Sequence, residues 1–199
     1  MSRPGGAARM HRSLAWALAA LALVPLAACD KADKAATDDA APKVSSETLT
    51  AAIGGTPGLT TVAAALKGTG LANVFDGTAP YTLLAPDDDA FGKLGETGTM
   101  LKAPENGAAM ASVIKAHVLP GYVTVKDIDA ALKAARGKPV RMTTMAGDEV
   151  TFVRDGEALS VTAADGSTAR VSGSDVAAGN GVAIPVDTVL KKVPSAAEG

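Results

Sequence analysis

Residues 81–91 read Tyr-Thr-Leu-Leu-Ala-Pro-Asp-Asp-Asp-Ala-Phe, and this stretch predicts a strand followed at once by a helix. The apolar run Tyr81–Ala85 suits a short buried strand. Pro86 ends the run, because proline lacks the backbone N–H that a strand ladder needs. Aspartates 87–89 follow. Acidic side chains cap a helix and complement its dipole, so we expect a helix to begin at these aspartates.

Helical patterns lie on both sides of this stretch. The clearest predicted helix covers Pro104–Val118, and its apolar face carries Met110, Val113, Ile114 and His117. This i, i+3, i+4, i+7 spacing places side chains on one face of a helix. The same reasoning predicts helices at Thr48–Ile53, Leu59–Leu66, Leu71–Phe75 and Val125–Ala135.

After Lys138 the sequence changes to short, alternating, β-branched segments separated by turn sequences. We expect strands at Val140–Met145, Glu149–Arg154, Ala158–Thr162, Ala169–Ser172 and Gly181–Leu190. Helices followed by a meander of strands indicate an α+β arrangement. Since the chain shows no internal repeat and no second linker, residues 47–193 are expected to form one domain.

Three stretches resemble the motifs of the fasciclin domain. Thr82–Phe91 is similar to that family's first box, Thr-x-x-Ala-Pro-Thr-Asp-x-Ala-Phe. Residues 180–190, Asn-Gly-Val-Ala-Ile-Pro-Val-Asp-Thr-Val-Leu, resemble its second box, Asn-Gly-x-x-His-x-Ile-Asp-x-Val-Leu. Residues 104–121, which end in His-Val-Leu-Pro-Gly, are similar to its central helix and the His-x-x-Pro-Gly that follows. The order and spacing agree over residues 57–193.

The resemblance implies an α+β fold, a fasciclin-like wedge of about seven strands with helices packed on one side. It also implies adhesion or extracellular interaction without enzymatic activity. The positions that match the motifs, for which the resemblance implies a structural role, are Thr82, Ala85, Pro86, Phe91, His117, Asn180, Gly181 and Asp187.

Two positions depart from the family pattern. Ile184 stands where the second box usually has a histidine, with Pro185 beside it. Ala116 precedes His117, where adhesive animal members have a tyrosine linked to receptor binding. Receptor binding of that animal kind is therefore not expected.

The first 28 residues have the pattern of a signal peptide. Three arginines precede the apolar run 14–24, which is too short for a membrane span of about 20 residues. Leu26-Ala27-Ala28-Cys29 then resembles a bacterial lipobox, which implies cleavage before Cys29 and lipidation of its thiol. Because two or three acyl chains anchor a protein stably, we expect a lipoprotein. The alternative is an ordinary cleavage after Ala28 that leaves a free thiol.

Residues 29–46 are predicted to be the lipidated cysteine and a flexible tether, since they are small and charged without apolar periodicity. Residues 194–199 are expected to be a C-terminal tail. We expect a lipid-anchored protein of the cell envelope, on a membrane facing the periplasm. Asp30 resembles a signal that retains some lipoproteins in the inner membrane, but that rule varies between bacteria, so the choice of membrane stays open.

Charge excludes some partners. Residues 29–199 hold 16 basic and 21 acidic residues, a net charge of −5. This balance gives no footprint for nucleic-acid binding. It also argues against electrostatic docking of the whole domain on an anionic membrane, so the anchor must come from another source.

No set of residues predicts a catalytic, cofactor or metal site. His117 is the only histidine after the signal and Cys29 the only cysteine, so a zinc site lacks ligands. We expect His117 to be a core side chain hydrogen-bonded to a neighbouring strand. Aspartates 87–89 fail the EF-hand template, which needs a glutamate where Gly98 stands. Ser112-Val-Ile-Lys115 matches the Ser-x-x-Lys of penicillin-binding enzymes, but the Lys-Thr-Gly partner is missing.

Three functions remain open from the sequence. The favoured one is a membrane-tethered interaction module whose partner is an envelope protein or polysaccharide. The second is a periplasmic small-ligand carrier or sensor accessory, with an apolar cleft between the helices and the sheet. The third is a hydrolase that uses Ser112 and Lys115.

Overall fold

The computed structural model describes residues 46–193. The predicted signal peptide, Cys29, the tether up to residue 45 and the tail at 194–199 lie outside the described residues. Within 46–193, every helix is too short or too polar to cross a membrane.

Helices dominate the first half of the described chain and strands the second half. The helices are α1 (Leu49–Gly54), α2 (Thr60–Gly68), α3 (Ala72–Phe75), α4 (Asp88–Gly92), α5 (Glu96–Leu101), α6 (Gly107–Ala116) and α7 (Val125–Ala134), with a 3-10 turn at Pro104–Asn106. The strands are β1 (Tyr81–Pro86), β2 (Val118–Pro120), β3 (Val140–Thr143), β4 (Glu149–Asp155), β5 (Ala158–Ala163), β6 (Thr168–Arg170), β7 (Val176–Ala178) and β8 (Gly181–Val186).

The strands form two four-stranded sheets. The first sheet has the order β2-β1-β8-β7, in which β1 and β8 are parallel and the other pairs antiparallel. The second sheet is an antiparallel meander, β3-β4-β5-β6. The α+β prediction is confirmed, and residues 46–193 contain eight strands, one more than the seven or so that were expected.

The first sheet separates two hydrophobic cores. Helices α1 to α6 cover one face, where Phe75 and Phe91 are buried against side chains such as Leu83. The opposite face packs on the second sheet and α7, around Phe152 and Ile184. Complete burial of a large apolar side chain stabilises a fold by about 1.5–3 kcal/mol, so these two cores supply the main driving force for folding.

Two of the element predictions that cover motif residues extend too far along the chain. The predicted helix Pro104–Val118 begins as a 3-10 turn and ends at Ala116, because Val118 pairs with Leu83 as the first residue of β2. The predicted strand Gly181–Leu190 ends at Val186. Helix α5 and strand β7 were not predicted at all.

Candidate functional site

Parallel pairing of β1 and β8 brings the two motif stretches together. Tyr81 lies opposite Gly181, and the register continues without a break to Pro86 opposite Val186. Both strands are almost completely buried at the centre of the first sheet. Because parallel strands end at the same edge of a sheet, the aspartates that follow each strand lie close together. The two boxes therefore form one pair of parallel strands. Asn180 lies at the end of this pair where β8 begins, and Asp187 lies at the end where β8 stops.

Asn180 holds the end of this unit at which β8 begins. Its Oδ1 accepts a hydrogen bond from the N–H of Leu49 at 2.8 Å, and its Nδ2 donates to the carbonyls of Phe75 and Gly77 at 2.6 and 2.8 Å. A Cβ at the adjacent Gly181 would lie 2.5 Å from the carbonyl oxygen of the opposite β1 residue. Only glycine fits this close approach of two backbones.

Asp187 holds the other end, just beyond β8. Its Oδ1 accepts from the N–H of Arg170 at 2.8 Å and from the hydroxyl of Thr188 at 3.0 Å. Its own N–H donates to the carbonyl of Arg170, and its carbonyl accepts from the ammonium group of Lys93 at 2.7 Å. These bonds end the strand after Val186 and tie it to β6 and to the end of α4.

Aspartates 87 and 88 cap two different helices. Asp87 Oδ1 accepts from the N–H of Ala90 at 2.7 Å, which confirms the predicted cap of α4. Asp88 instead caps α2, since its carboxylate accepts from the backbone N–H of Thr61 at 2.7 Å and from the hydroxyl of Thr60 at 2.8 Å. Partial burial acts to raise the pKa of Asp88, but these hydrogen bonds outweigh it and the pKa is lowered.

These acids do not assemble a metal site. In the described range, no group of three or more His, Cys, Asp or Glu side chains is placed to hold a metal ion. Asp89 is exposed, while its two predecessors are occupied by helix N–H groups. Helix capping therefore accounts for Asp87 and Asp88.

His117 is fully buried, and both of its ring nitrogens are engaged. Nδ1 lies 2.7 Å from the carbonyl oxygen of Val113, and Nε2 lies 2.8 Å from the backbone nitrogen of Leu190. Because a carbonyl only accepts, Nδ1 must carry the proton. Because the Leu190 N–H donates, Nε2 must be unprotonated. The ring is therefore neutral and joins α6 to the segment after β8, rather than to a strand as predicted.

Burial sets the protonation state of His117. Desolvation lowers its pKa from 6.5 to about 4, although the Val113 carbonyl acts in the opposite direction. Of the nearby charges, Lys191 lowers the pKa and Asp165 raises it. A buried, neutral imidazole with both nitrogens occupied is a structural link and has no open position for a ligand.

The remaining matched residues are also structural. The hydroxyl of Thr82 is buried, accepts from the N–H of Val123 at 2.8 Å and lies 2.9 Å from the carbonyl oxygen of Gly121. It thereby fixes the segment between β2 and α7 against β1. Ala85 and Phe91 are almost completely buried in the core beneath the helices.

Ser112 and Lys115 do not form a catalytic pair. Ser112 and Lys115 are both exposed residues of α6. The structure of residues 46–193 contains no hydrogen bond between their side chains. Penicillin-binding enzymes also carry a Ser-Asp-Asn motif, which Ser174-Asp-Val approaches most nearly, and Ser174 is exposed in the segment before β7. Nucleophile activation requires a base within hydrogen-bond reach, and this arrangement does not provide one.

A cleft of about 320 Å³ lies within the helical layer. Its lining comes from α2, the end of α5, the segment that follows α5, and α6. It includes Ala64, Thr69, Leu101, Lys102 and Met110. An apolar cleft was expected between the helices and the sheet, whereas this one lies between helices. Its lining includes Pro104, Gly107 and Met110 of the matched stretch 104–121, but none of the residues of the two boxes.

The two-sheet architecture and the paired motif strands define a fasciclin-type domain. The sequence model of the Fasciclin domain matches residues 57–192. The chain therefore belongs to the fasciclin domain family.

Relatives and a solved structure agree with this assignment. Protein sll1483 of Synechocystis sp. is 30% identical over 170 residues, which cover 84% of this chain and 86% of that protein. Uncharacterized protein sll1735 of Synechocystis sp. is 26% identical over 132 residues, 65% of this chain and 86% of that protein. A FAS1 domain pair from the insect cell adhesion molecule fasciclin I matches with a TM-score of 0.63 and 16% identity over 76% of this chain. Since the match covers 52% of that structure, this chain spans about half of its length, and the likeness shows the fold.

Proposed function

We propose that this protein is a membrane-anchored, extracytoplasmic interaction module that works without catalysis. The observation that carries the anchor is Leu26-Ala27-Ala28-Cys29, placed directly after the short apolar run 14–24. Family membership supports the interaction role, because the structurally similar domain pair belongs to a cell adhesion molecule. Its partner is an envelope protein or polysaccharide, reached from a membrane that faces the periplasm.

The hydrogen bonds of the motif residues support a role without catalysis. Thr82, Asn180 and Asp187 each bind backbone groups of other segments. His117 is neutral and buried. Since the polar side chains that match the family motifs hold the fold together, the exposed surface is left to provide function.

Metabolic labelling tests the anchor. Cells that express the full chain are grown with radioactive palmitate, and the envelope is then fractionated. We expect label in the wild-type protein and none in the matched variant Cys29→Ser, which keeps every other residue. A wild-type protein that takes up no label and fractionates as a freely soluble protein would contradict the proposal.

A small-ligand carrier is the second candidate, and the cleft in the helical layer favours it. Its volume of about 320 Å³ lies at the lower end of ordinary ligand pockets. Native mass spectrometry of protein purified from envelopes checks this candidate. Ala64→Trp places a large side chain in the cleft, and the exposed position Ala108→Trp is the control. A co-purified ligand that is lost in Ala64→Trp but kept in Ala108→Trp would support the carrier function. A wild-type protein without any co-purified ligand would contradict it.

A further inference from the structure

The cleft in the helical layer follows one side of α2 from end to end. The residues that line it from this helix and its C-cap are Thr60, Thr61, Ala64, Ala65, Gly68 and Thr69. Their spacing of i, i+1, i+4, i+5, i+8 and i+9 keeps them on one face of the helix. Because a helix rises 1.5 Å per residue, this stripe is about 13 Å long. Spread over that length, the volume of about 320 Å³ gives a mean cross-section of about 25 Å², enough for one extended hydrocarbon chain.

The cleft reaches down to the hydrophobic core. Three of its lining residues, Ala65, Leu101 and Met110, are buried members of the core beneath the helices. An apolar molecule in the cleft would contact these side chains directly and remove apolar surface from water on both sides of the contact. The lining therefore favours an apolar ligand along most of its length.

Two glycines leave space in the walls of the cleft. A Cβ added at Gly68 or at Gly107 would meet no heavy atom of a neighbouring segment within 4 Å. Neither residue has a positive φ, so neither position needs glycine for its backbone conformation. The chain thus keeps open a space between α2 and α6 that small side chains would occupy without a clash.

Lys102 is the only charged residue that lines the cleft. It is exposed, and within residues 46–193 its ammonium group has neither an ion pair nor a hydrogen bond. Two acids lie nearby in the chain, but neither belongs to the lining: Glu105 follows Pro104, and Asp88 is held by the first turn of α2. The lining therefore carries one positive charge and no negative charge, which fits a ligand with one anionic group.

We infer that the cleft binds an aliphatic carboxylate, with its extended chain along α2 and its carboxylate paired with Lys102. A chain of about ten carbons is as long as the stripe on α2, and an ammonium group pairs well with a carboxylate. A sugar fits less well, because the hydroxyls of Thr60 and Thr69 already donate to Asp88 and to a helix carbonyl, so a buried sugar would leave polar groups unpaired. This inference rests on the small-ligand carrier proposed above as the second candidate, and it names the class of ligand.

Isothermal titration calorimetry with decanoate, below the concentration at which it forms micelles, tests the inference. Octanoate is the shorter probe, and decyltrimethylammonium has the same chain with the opposite charge. All proteins carry Cys29→Ser in the full chain, so that acyl chains on the protein do not contribute. Binding by the apolar run 14–24 is common to all of these proteins and does not depend on changes in the cleft.

Two pairs of variants separate the cleft from the rest of the surface. Gly68→Leu fills the cleft, and its control is Gly92→Leu, since each glycine is the last residue of its helix and has open space around it. Lys102→Gln removes the charge of the lining, and its control is Lys67→Gln, an exposed residue of α2 outside the lining. Circular dichroism establishes that each variant is folded.

We expect saturable binding of decanoate, with octanoate at least about tenfold weaker, because each buried CH₂ group changes the affinity by about fourfold. Decyltrimethylammonium and the Lys102→Gln variant should each show a loss of about tenfold, since both remove the charge-assisted pair. Gly68→Leu should lose at least about tenfold by filling the space that the chain occupies. The two control variants should stay within about twofold of the unchanged protein. If Gly68→Leu fails to fold, the Lys102→Gln variant and the octanoate comparison carry the test.

Three results would overturn the inference: no saturable binding of decanoate, equal losses in a cleft variant and its control, or equal binding of decanoate and decyltrimethylammonium. The last result would mean that an apolar chain adheres without regard to its charge. A co-purified ligand that is lost in Ala64→Trp would still support a carrier for another class of ligand. The palmitate test is independent of all three results, so the anchored interaction module can stand when this choice of ligand fails.

Discussion

Acidification should destabilise the fold through the buried imidazole of His117. The folded state holds the pKa of this imidazole at about 4, whereas in the unfolded chain it returns to 6.5. Between these two pH values the imidazole is protonated in the unfolded chain but not in the folded protein. Its contribution to the free energy of unfolding is therefore fully present above pH 6.5 and is lost as the pH drops towards 4. A shift of this size corresponds to about 3 kcal/mol in total.

Three aspartates have pKa values that are lowered in the folded protein, and they lose their contributions at lower pH than His117 does. The pKa values of Asp88, Asp127 and Asp165 are lowered from 3.8, so their contributions persist above pH 3.8 and disappear only as the pH falls further. The difference between the wild type and a variant without this imidazole, measured between pH 6.5 and about 4.5, therefore reports on His117. Residues 30–199 contain no other histidine, which makes this form of the chain suitable for the measurement.

His117→Gln is the matched variant. Its amide can donate to the carbonyl of Val113 and accept from the N–H of Leu190, yet it does not titrate. Urea unfolding followed by circular dichroism at pH 7, 6, 5 and 4.5 should show falling stability for the wild type and a nearly constant value for the variant. Equal pH slopes in the two proteins would refute the assignment of a neutral, buried imidazole.

Four further predictions concern other parts of the chain. In a urea titration, Gly181→Ala should destabilise the fold by at least about 2 kcal/mol, because the added Cβ would lie 2.5 Å from a β1 carbonyl oxygen. The control Gly68→Ala should have little effect, because no atom lies within 4 Å of the Cβ that it adds. Asn180→Asp keeps one acceptor but loses both donated hydrogen bonds, so we expect a loss of about 2–3 kcal/mol in chemical denaturation, and an unchanged midpoint would contradict the structural role. Arg136→Gly should stabilise the protein by about 0.5–1 kcal/mol in chemical denaturation, because it removes a left-handed L-residue, and a destabilised variant would argue against that geometry. Trp16 is the only tryptophan, so protein purified from envelopes should lack indole fluorescence, and its presence would contradict signal cleavage.

Short stretches of sequence were sufficient to predict the elements that have a clear apolar pattern or a capping residue of their own. Tyr81–Ala85 has the apolar run of a buried strand, and Asp87 supplies the cap of the next helix. Helix α7 begins at Val125 and ends at Ala134, one residue from its predicted end, because its polar and apolar faces are distinct and Thr124 caps it.

The elements that were missed depend on partners far along the chain. Val118 continues the apolar pattern of helix α6, yet it is a strand residue because it pairs with Leu83, which lies 35 residues earlier in the chain. Strand β7 has only three residues and no alternation, and it forms because β8 and α1 lie beside it. The same limit applies to the motif side chains, since the sequence does not show that Asp88 caps α2 or that His117 bonds to the N–H of Leu190.

Cross-linking in intact envelopes, read by mass spectrometry, tests most directly whether this protein acts by contact from a membrane anchor. The full chain and its Cys29→Ser variant are compared at equal expression. We predict that the wild-type protein is recovered from membranes cross-linked to envelope material, and that the variant loses most of these products. A wild-type protein that forms no cross-links, or a variant that forms the same ones, would contradict the account.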